Sequence, residues 1–295
     1  MHPDTMRLID RWVGIPLCFF ASFWPLKKAQ ADSNSTLATN IPPPDTIVFI
    51  LIAEIGALVV AYPAIKETRK QHPKSRICFI TAPAGLQTLE LMGFEKEDIF
   101  LLETSSIKSL LKGIVNIRSH FKGKRVSAIV LEPFTRFSTL LSAWIGASKR
   151  IGCYRFLNEG VYLGNILTHR LVYNPHLHMS QTYFALAKAL IEPDSAKPLL
   201  KEYIPSQIKN RLKINIPEKE RQTLMKRLQS ECPENPLKKI ILLNANTSDI
   251  VPLRKWPLEN FVELGKQLLE NSEFTVVLTG SPEEKDVCED LALQI

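Results

Sequence analysis

The chain has 295 residues, of which 45% are hydrophobic and 23% are charged, and its formal net charge is +7. This composition excludes a disordered or fibrous protein, and the length suffices for two globular domains. The positive charge suits an anionic partner. The basic residues are dispersed and not clustered with aromatic residues, so we predict no nucleic-acid partner.

The five cysteines lie far apart in the sequence and form no Cys-x-x-Cys pair. This spacing argues against a disulfide framework and a zinc site, and it favours a reducing compartment. His176 and His178 lack a carboxylate or cysteine at a suitable spacing, so we expect them in a loop and at a helix start. We therefore predict no metal site and no cofactor.

Residues 12–26 form a strongly apolar run near the amino terminus. Basic residues flank the run on both sides: Arg7, Arg11, Lys27 and Lys28. The run is shorter than the about 20 residues of a membrane-spanning helix, and it is interrupted by Pro16 and Pro25. We interpret residues 1–28 as a membrane-surface segment that binds anionic lipid, with a signal peptide and a spanning helix as alternatives.

The polar, proline-rich residues 29–45 are predicted to be a linker, and residues 46–192 an α/β domain. Its first apolar run, residues 46–53, is typical of a buried parallel strand. A helix from about Leu58 follows, with one apolar face: Leu58, Ala61, Ile65 and Thr68. Further strands are predicted at 76–81, 98–102, 126–131, 149–154 and 168–173, and helices at 86–92, 107–120, 137–145 and 178–191. This alternation predicts a parallel sheet covered on both faces.

Recurrent prolines and charges in residues 193–237 predict an interdomain linker with one helix at 218–229. A second α/β unit, residues 238–295, follows. Its predicted elements are a strand at 239–243, a loop at 244–255, a helix at 257–270, a strand at 274–279 and a helix at 282–293. Because two parallel strands cannot bury their own faces, we expect this domain to be incomplete and the chain to be truncated.

The loop Asn244–Lys255 lies between a parallel strand and a helix, where open α/β sheets bind ligands. It carries hydroxyl and cationic side chains that suit a phosphate: Thr247, Ser248, Arg254 and Lys255. Backbone amides at the following helix start favour the same ligand. A solvated loop with an ordinary helix cap is the other interpretation.

The motifs in this region resemble those of glycosyltransferase family 9, the lipopolysaccharide heptosyltransferases. They are Asn244 and Ser248, the basic pair Arg254 and Lys255, Trp256 and Pro257, and the segment from Leu278 through Thr279, Gly280 and Pro282 to Glu284. The amino-terminal half is similar at residues 55–56, 62–65 and 150–152. The resemblance extends from about residue 44 to the end of the chain.

This resemblance implies a GT-B-like fold of two Rossmann-like domains, with the acceptor on the first and the nucleotide sugar on the second. It implies transfer of a heptose-like sugar from a nucleotide diphosphate donor, similar to ADP-heptose, to a lipid-linked acceptor of the lipopolysaccharide-core type. The enzyme would be peripheral on the cytoplasmic face of the inner membrane. Thr247, Ser248 and Arg254 would contact the diphosphate. Glu284 would bind the ribose, unless it is only a solvated acid in the first turn of a helix.

The sequence departs from the family at its catalytic acid. The family has Gly-Asp after its first strand, and that aspartate is the proposed base, whereas this chain has Gly56 and Ala57. An alanine cannot take a proton, so Glu54 is the candidate base, although it also suits a helix cap or a surface acid. The alternative is a non-catalytic, membrane-associated binding protein. The family's Asp-Ser/Thr-Gly-x-x-His motif would lie beyond Ile295, so the chain as given is expected to be inactive.

Overall fold

A computed structural model of the protein describes residues 3–23, 43–52, 54–155, 161–192, 195–199, 212–231, 239–245 and 255–295. The contacts between residues divide the chain into two units, Met1–Ile214 and Asn215–Ile295. Of the predicted linker 29–45, residues 29–42 lie outside the described residues.

The first unit is built on a parallel seven-stranded sheet with the order β3-β2-β1-β4-β5-β6-β7. The strands are β1 (Thr46–Ile50), β2 (Arg76–Thr81), β3 (Ile99–Leu101), β4 (Val126–Val130), β5 (Lys149–Tyr154), β6 (His169–Val172) and β7 (Ser195–Leu199). The helices are α1 (Pro3–Trp12), α2 (Gly14–Phe23), α3 (Ile55–Gln71), α4 (Leu86–Leu91), α5 (Ile107–Phe121), α6 (Arg136–Trp144) and α7 (Met179–Lys188).

Hydrophobic cores cover both faces of this sheet, because neighbouring residues of a strand point to opposite faces. Ile47 and Phe49 of β1 belong to the core under α3, α4 and α7. Val48 and Ile50 belong to the core under α5 and α6. The continuous apolar run therefore forms a strand that is buried on both faces, as predicted.

The predicted elements of the first unit are confirmed to within three residues at each end, and one strand of the sheet is not among them. Helix α3 begins at Ile55, three residues before the predicted start, and its predicted apolar face is buried. Residues 195–199 fall in the predicted linker 193–237, yet Ser195–Leu199 pairs with β6 as the last strand of the sheet. Pro198 has no backbone N–H to donate, so this segment suits a sheet edge and lacks the pattern of a central strand.

The second unit contains α8 (Glu218–Glu231), β8 (Lys239–Leu243), α9 (Leu258–Leu269), β9 (Phe274–Leu278) and α10 (Lys285–Gln294). Strands β8 and β9 pair in parallel over five residues, as predicted. Helix α9 packs closely on the end of α10, where a side chain at Gly265 would meet Ile295. Ile240 and Leu242 of β8 are 38% and 66% exposed.

The apolar amino-terminal segment folds as two short helices, α1 and α2, with a turn at Val13. Among the residues that the structure describes, no helix has both the length and the apolar character needed to cross a bilayer. Helix α2 instead packs against α6 of the first unit.

Candidate functional site

The strand order of the first unit reverses between β1 and β4, which lie side by side at the centre of the sheet. Open α/β sheets bind ligands in the crevice beyond the carboxyl ends of such strands. In this chain each of the two strands is followed by a glutamate, Glu54 after β1 and Glu132 after β4.

Glu54 occupies the residue before the first turn of α3 and is exposed. Its side chain forms no capping hydrogen bond with the helix. The side chain of Glu54 therefore does not cap α3, which was the alternative role suggested by the sequence. The positive end of the α3 dipole favours the ionised carboxylate at this position. Glu54 thus presents an exposed carboxylate at the edge of the crevice.

Glu132 is a buried acid, only 8% exposed, that the sequence analysis did not select. Its carboxylate accepts hydrogen bonds from the backbone N–H of Ile52 at 3.0 Å and the Thr135 hydroxyl at 3.2 Å. It accepts a third from the Ser138 hydroxyl. These bonds tie the end of β1 to the loop after β4 and to the first turn of α6. An acid directly after an apolar strand was the available signal, whereas Glu54 is the candidate base because it lies close to Ala57.

Tyr183 of α7 is buried near both carboxylates. Its pKa is raised first by burial and then by the negative charges of Glu54 and Glu132. The phenol therefore stays protonated at neutral pH and remains a hydrogen-bond donor. The ring of Tyr173 contacts that of Phe134 at 4.9 Å in the same region. An exposed carboxylate, a buried carboxylate and a phenol thus lie together at one end of the sheet.

Ala57 is the third residue of α3. Its side chain is half-buried and packs against the core under α3, α4 and α7. It offers no group that can take a proton. The role of Glu54 as the base stays a prediction.

The second unit holds the predicted nucleotide-sugar site. Thr247, Ser248 and Arg254 lie outside the described residues, so their role remains a prediction. Lys255 is described and is exposed three residues before α9 begins. The neighbouring Trp256 contacts the ring of Phe261 at 4.8 Å. Lys255 therefore stands near a helix amino terminus, which favours an anionic ligand.

Glu284 follows β9 in the first turn that leads into α10. Its carboxylate accepts a hydrogen bond from the backbone N–H of Ser281 at 2.7 Å, and the Ser281 side chain completes a capping box. Glu284 therefore acts at the helix start, which was the alternative to ribose binding. The ribose contact stays a prediction.

His176 and His178 lie in a loop and at a helix start, as predicted. The side chain of His178 accepts a hydrogen bond from the backbone N–H of Ser180 at the start of α7, at 3.2 Å. The backbone N–H of His176 donates to the Asn174 side chain at 2.9 Å in the preceding turn. Within the described parts of the chain, no three His, Cys, Asp or Glu side chains form a group that could hold a metal ion.

No family model matches the sequence, and no curated protein matches it. Among solved structures, the chain is similar to a glycosyl transferase of family 9 from Veillonella parvula, with a TM-score of 0.62 and 18% identity. That match covers 86% of this chain and 67% of the other. The chain is also similar to E. coli heptosyltransferase WaaC.

The WaaC structure with ADP-2-deoxy-2-fluoro heptose matches with a TM-score of 0.56 and 14% identity, over 84% of this chain and 73% of that one. The WaaC structure with ADP gives the same TM-score and identity, with 72% of that chain covered. The predicted GT-B-like α/β fold is therefore confirmed. This chain has the fold of the glycosyltransferases whose motifs its sequence resembles.

Proposed function

We propose that this protein is a glycosyltransferase that moves a heptose-like sugar from a nucleotide diphosphate donor to a lipid-linked acceptor of the lipopolysaccharide-core type. The observation that carries the proposal is the fold shared with WaaC, which was solved with ADP and with an ADP-heptose analogue. The motif from Asn244 to Glu284 gives independent support from the sequence. The proposed location is the cytoplasmic face of the inner membrane.

The proposed reaction is a single displacement with inversion. The acceptor hydroxyl oxygen bonds to the anomeric carbon, the bond from that carbon to the diphosphate oxygen breaks, and the hydroxyl proton goes to Glu54. Glu54 suits this role because it is exposed at the crevice and its carboxylate makes no capping bond. Glu132 suits it less, because its oxygens already accept three hydrogen bonds from the protein.

The second unit supplies the groups that stabilise the departing diphosphate. The hydroxyls of Thr247 and Ser248 and the cations of Arg254 and Lys255 are the proposed contacts. Positively charged groups held in place where negative charge develops lower the barrier to departure. The ADP-like donor would place its ribose near Glu284.

A second function is favoured by one observation, the alanine at position 57. A protein that kept the fold and lost the base would bind the nucleotide sugar and the membrane without transferring the sugar. The two functions share a donor site and differ only in turnover.

The test is a transfer assay with ADP-heptose and lipopolysaccharide-core acceptor, in which ADP release is measured with and without acceptor. Because the chain as given is expected to be inactive, the assay uses a form of the protein that also carries the Asp-Ser/Thr-Gly-x-x-His motif. The transferase proposal expects ADP release that depends on the acceptor, and a product with inverted anomeric configuration. UDP-glucose serves as a control donor and should support little release. Calorimetric binding of ADP-heptose without turnover would establish the binding protein instead.

A further inference from the structure

Helix α2 turns its small residues toward the protein and its large ones toward the outside. Gly14 and Cys18 are buried, and Ser22 is half-buried; all three lie on one face at intervals of four residues. The large apolar residues are exposed, by 39% at Ile15, 50% at Leu17, 49% at Phe19, 68% at Phe20 and 73% at Phe23. A helix on a water-soluble surface has the opposite arrangement, with its large apolar residues buried.

The small residues allow α2 to approach the first unit closely. A side chain at Gly14 would come within 2.9 Å of the Arg136 side chain. A side chain at Gly164 would come within 2.6 Å of the Cys18 carbonyl oxygen. The backbone N–H of Asn165 donates to the Ser22 hydroxyl at 2.9 Å. The packing is therefore specific, and the outward direction of the phenylalanines is fixed by it.

An ion pair with capping bonds holds α1 to the same place. The Asp10 carboxylate accepts hydrogen bonds from the backbone N–H groups of Arg136 and Phe137, at 2.9 and 3.1 Å. It also accepts one from the Arg136 guanidinium at 2.7 Å. Asp10 thus caps the amino terminus of α6, as an acid at a helix start should. The hairpin of α1 and α2, residues 3–23, is docked rather than loosely tethered.

We propose that this hairpin is a membrane-docking element that inserts its exposed apolar face into one leaflet of an anionic phospholipid bilayer. Exposed aromatic residues are unfavourable in water and favourable at the boundary between headgroups and acyl chains. This proposal rests on the membrane partner of the proposed function and names the part of the chain that binds it. Its test measures lipid binding and not sugar transfer. Either one can therefore fail without the other.

The turn between α1 and α2 carries an aromatic residue that suits the membrane surface. Trp12 is 71% exposed at the turn, and the Arg11 guanidinium lies 6.0 Å from its ring centroid. A tryptophan beside an arginine suits the headgroup boundary.

Charge favours a bilayer over a second copy of this chain as the occupant of this face. The sequence places basic residues on both sides of the apolar run: Arg7, Arg11, Lys27 and Lys28. Two copies that joined through these segments would bring like charges together. An anionic lipid surface neutralises them, with each basic residue near the surface adding to the attraction.

The test is flotation of the full chain with phosphatidylcholine vesicles that contain or lack phosphatidylglycerol. The variant replaces Phe19, Phe20 and Phe23 with Ser. The matched control replaces three other exposed apolar residues, Ile107, Leu111 and Val115 of α5, which are 56%, 57% and 57% exposed. We expect the phenylalanine variant to lose at least tenfold in vesicle partitioning, the control to keep it, and phosphatidylglycerol to strengthen it.

Circular dichroism and unreactive Cys18 would show that the phenylalanine variant is folded and docked. Equal partitioning of this variant and the unchanged protein would overturn the proposal. So would equal losses in the phenylalanine variant and the α5 control. Self-association that the phenylalanine changes abolish, with no vesicle binding by the unchanged chain, would assign this face to a second copy instead.

Discussion

The two glutamates that follow the central strands differ in burial. Glu132 is buried, whereas Glu54 is exposed. Glu132 joins the end of β1 to the first turn of α6 through three hydrogen bonds. Its removal would leave the buried N–H of Ile52 and the hydroxyl of Ser138 without this acceptor. We interpret Glu132 as the residue that fixes the loop carrying Glu54.

The prediction for Glu132→Ala is a loss of about 3 kcal/mol in the free energy of unfolding, because hydrogen bonds to a charged group are each worth about 1.5–3 kcal/mol. Glu132→Gln keeps an acceptor oxygen and should lose about 1 kcal/mol. Equilibrium urea unfolding of the two variants measures the difference. A Glu132→Ala variant as stable as the unchanged protein would show that these bonds are not formed.

At the scale of elements, the docked hairpin protects a thiol. Cys18 is fully buried, and burial raises the pKa of its thiol to about 12 although the Arg136 guanidinium lowers it. A thiol of this kind is inert to alkylation, because the thiolate is the reactive form. The reactivity of Cys18 therefore reports whether the hairpin is docked.

We expect Asp10→Ala to expose Cys18. The change removes a mostly buried ion pair and the cap of α6, a loss of about 3 kcal/mol. Alkylation of Cys18, followed by mass spectrometry, should accelerate at least tenfold, which corresponds to about 1.4 kcal/mol of local opening or more. Cys78 and Cys153 are buried elsewhere and serve as internal controls. If Cys18 stays inert in Asp10→Ala, Asp10 is not what holds the hairpin.

The central strands could be predicted from the sequence because both their faces are buried. Residues 46–50 and 126–130 are continuous apolar runs, and no other element of that length needs such a pattern. Strand β7 could not be predicted, because an edge strand with Pro198 has the composition of a linker. The docking of α2 could not be predicted either, because its contact face consists of small residues and shows no hydrophobic periodicity.

The candidate site was predictable only in part, for a related reason. Glu54 and the loop Asn244–Lys255 follow predicted strands, so their position at an edge of a sheet followed from chain order. Glu132 follows a strand in the same way, yet only the strand order places it beside β1. The electrostatic effect of the two carboxylates on Tyr183 depends on the packing of α7 against α3, which no local pattern indicates.

At the scale of the whole molecule, the proposed sugar transfer and the proposed membrane binding involve three parts of the chain. The first unit supplies carboxylates at the switch in strand order, and the second supplies the basic and hydroxyl-bearing segment before α9. The amino-terminal hairpin is docked on the first unit through Asp10 and the small face of α2. The proposed transferase would use all three parts, for its base, its anionic donor and its membrane-held acceptor.

The most direct measurement is the turnover of Glu54→Gln in the ADP-release assay, because this carboxylate is the proposed acceptor of the hydroxyl proton. A positioned general base contributes about 10²–10⁴-fold, so kcat should fall at least a hundredfold while ADP-heptose binding is unchanged. Glu95→Gln, at another exposed glutamate of the first unit, should keep full turnover. Ala57→Asp should restore turnover to Glu54→Gln. An unchanged kcat in Glu54→Gln would contradict the assignment of the base and place the proton transfer on another residue.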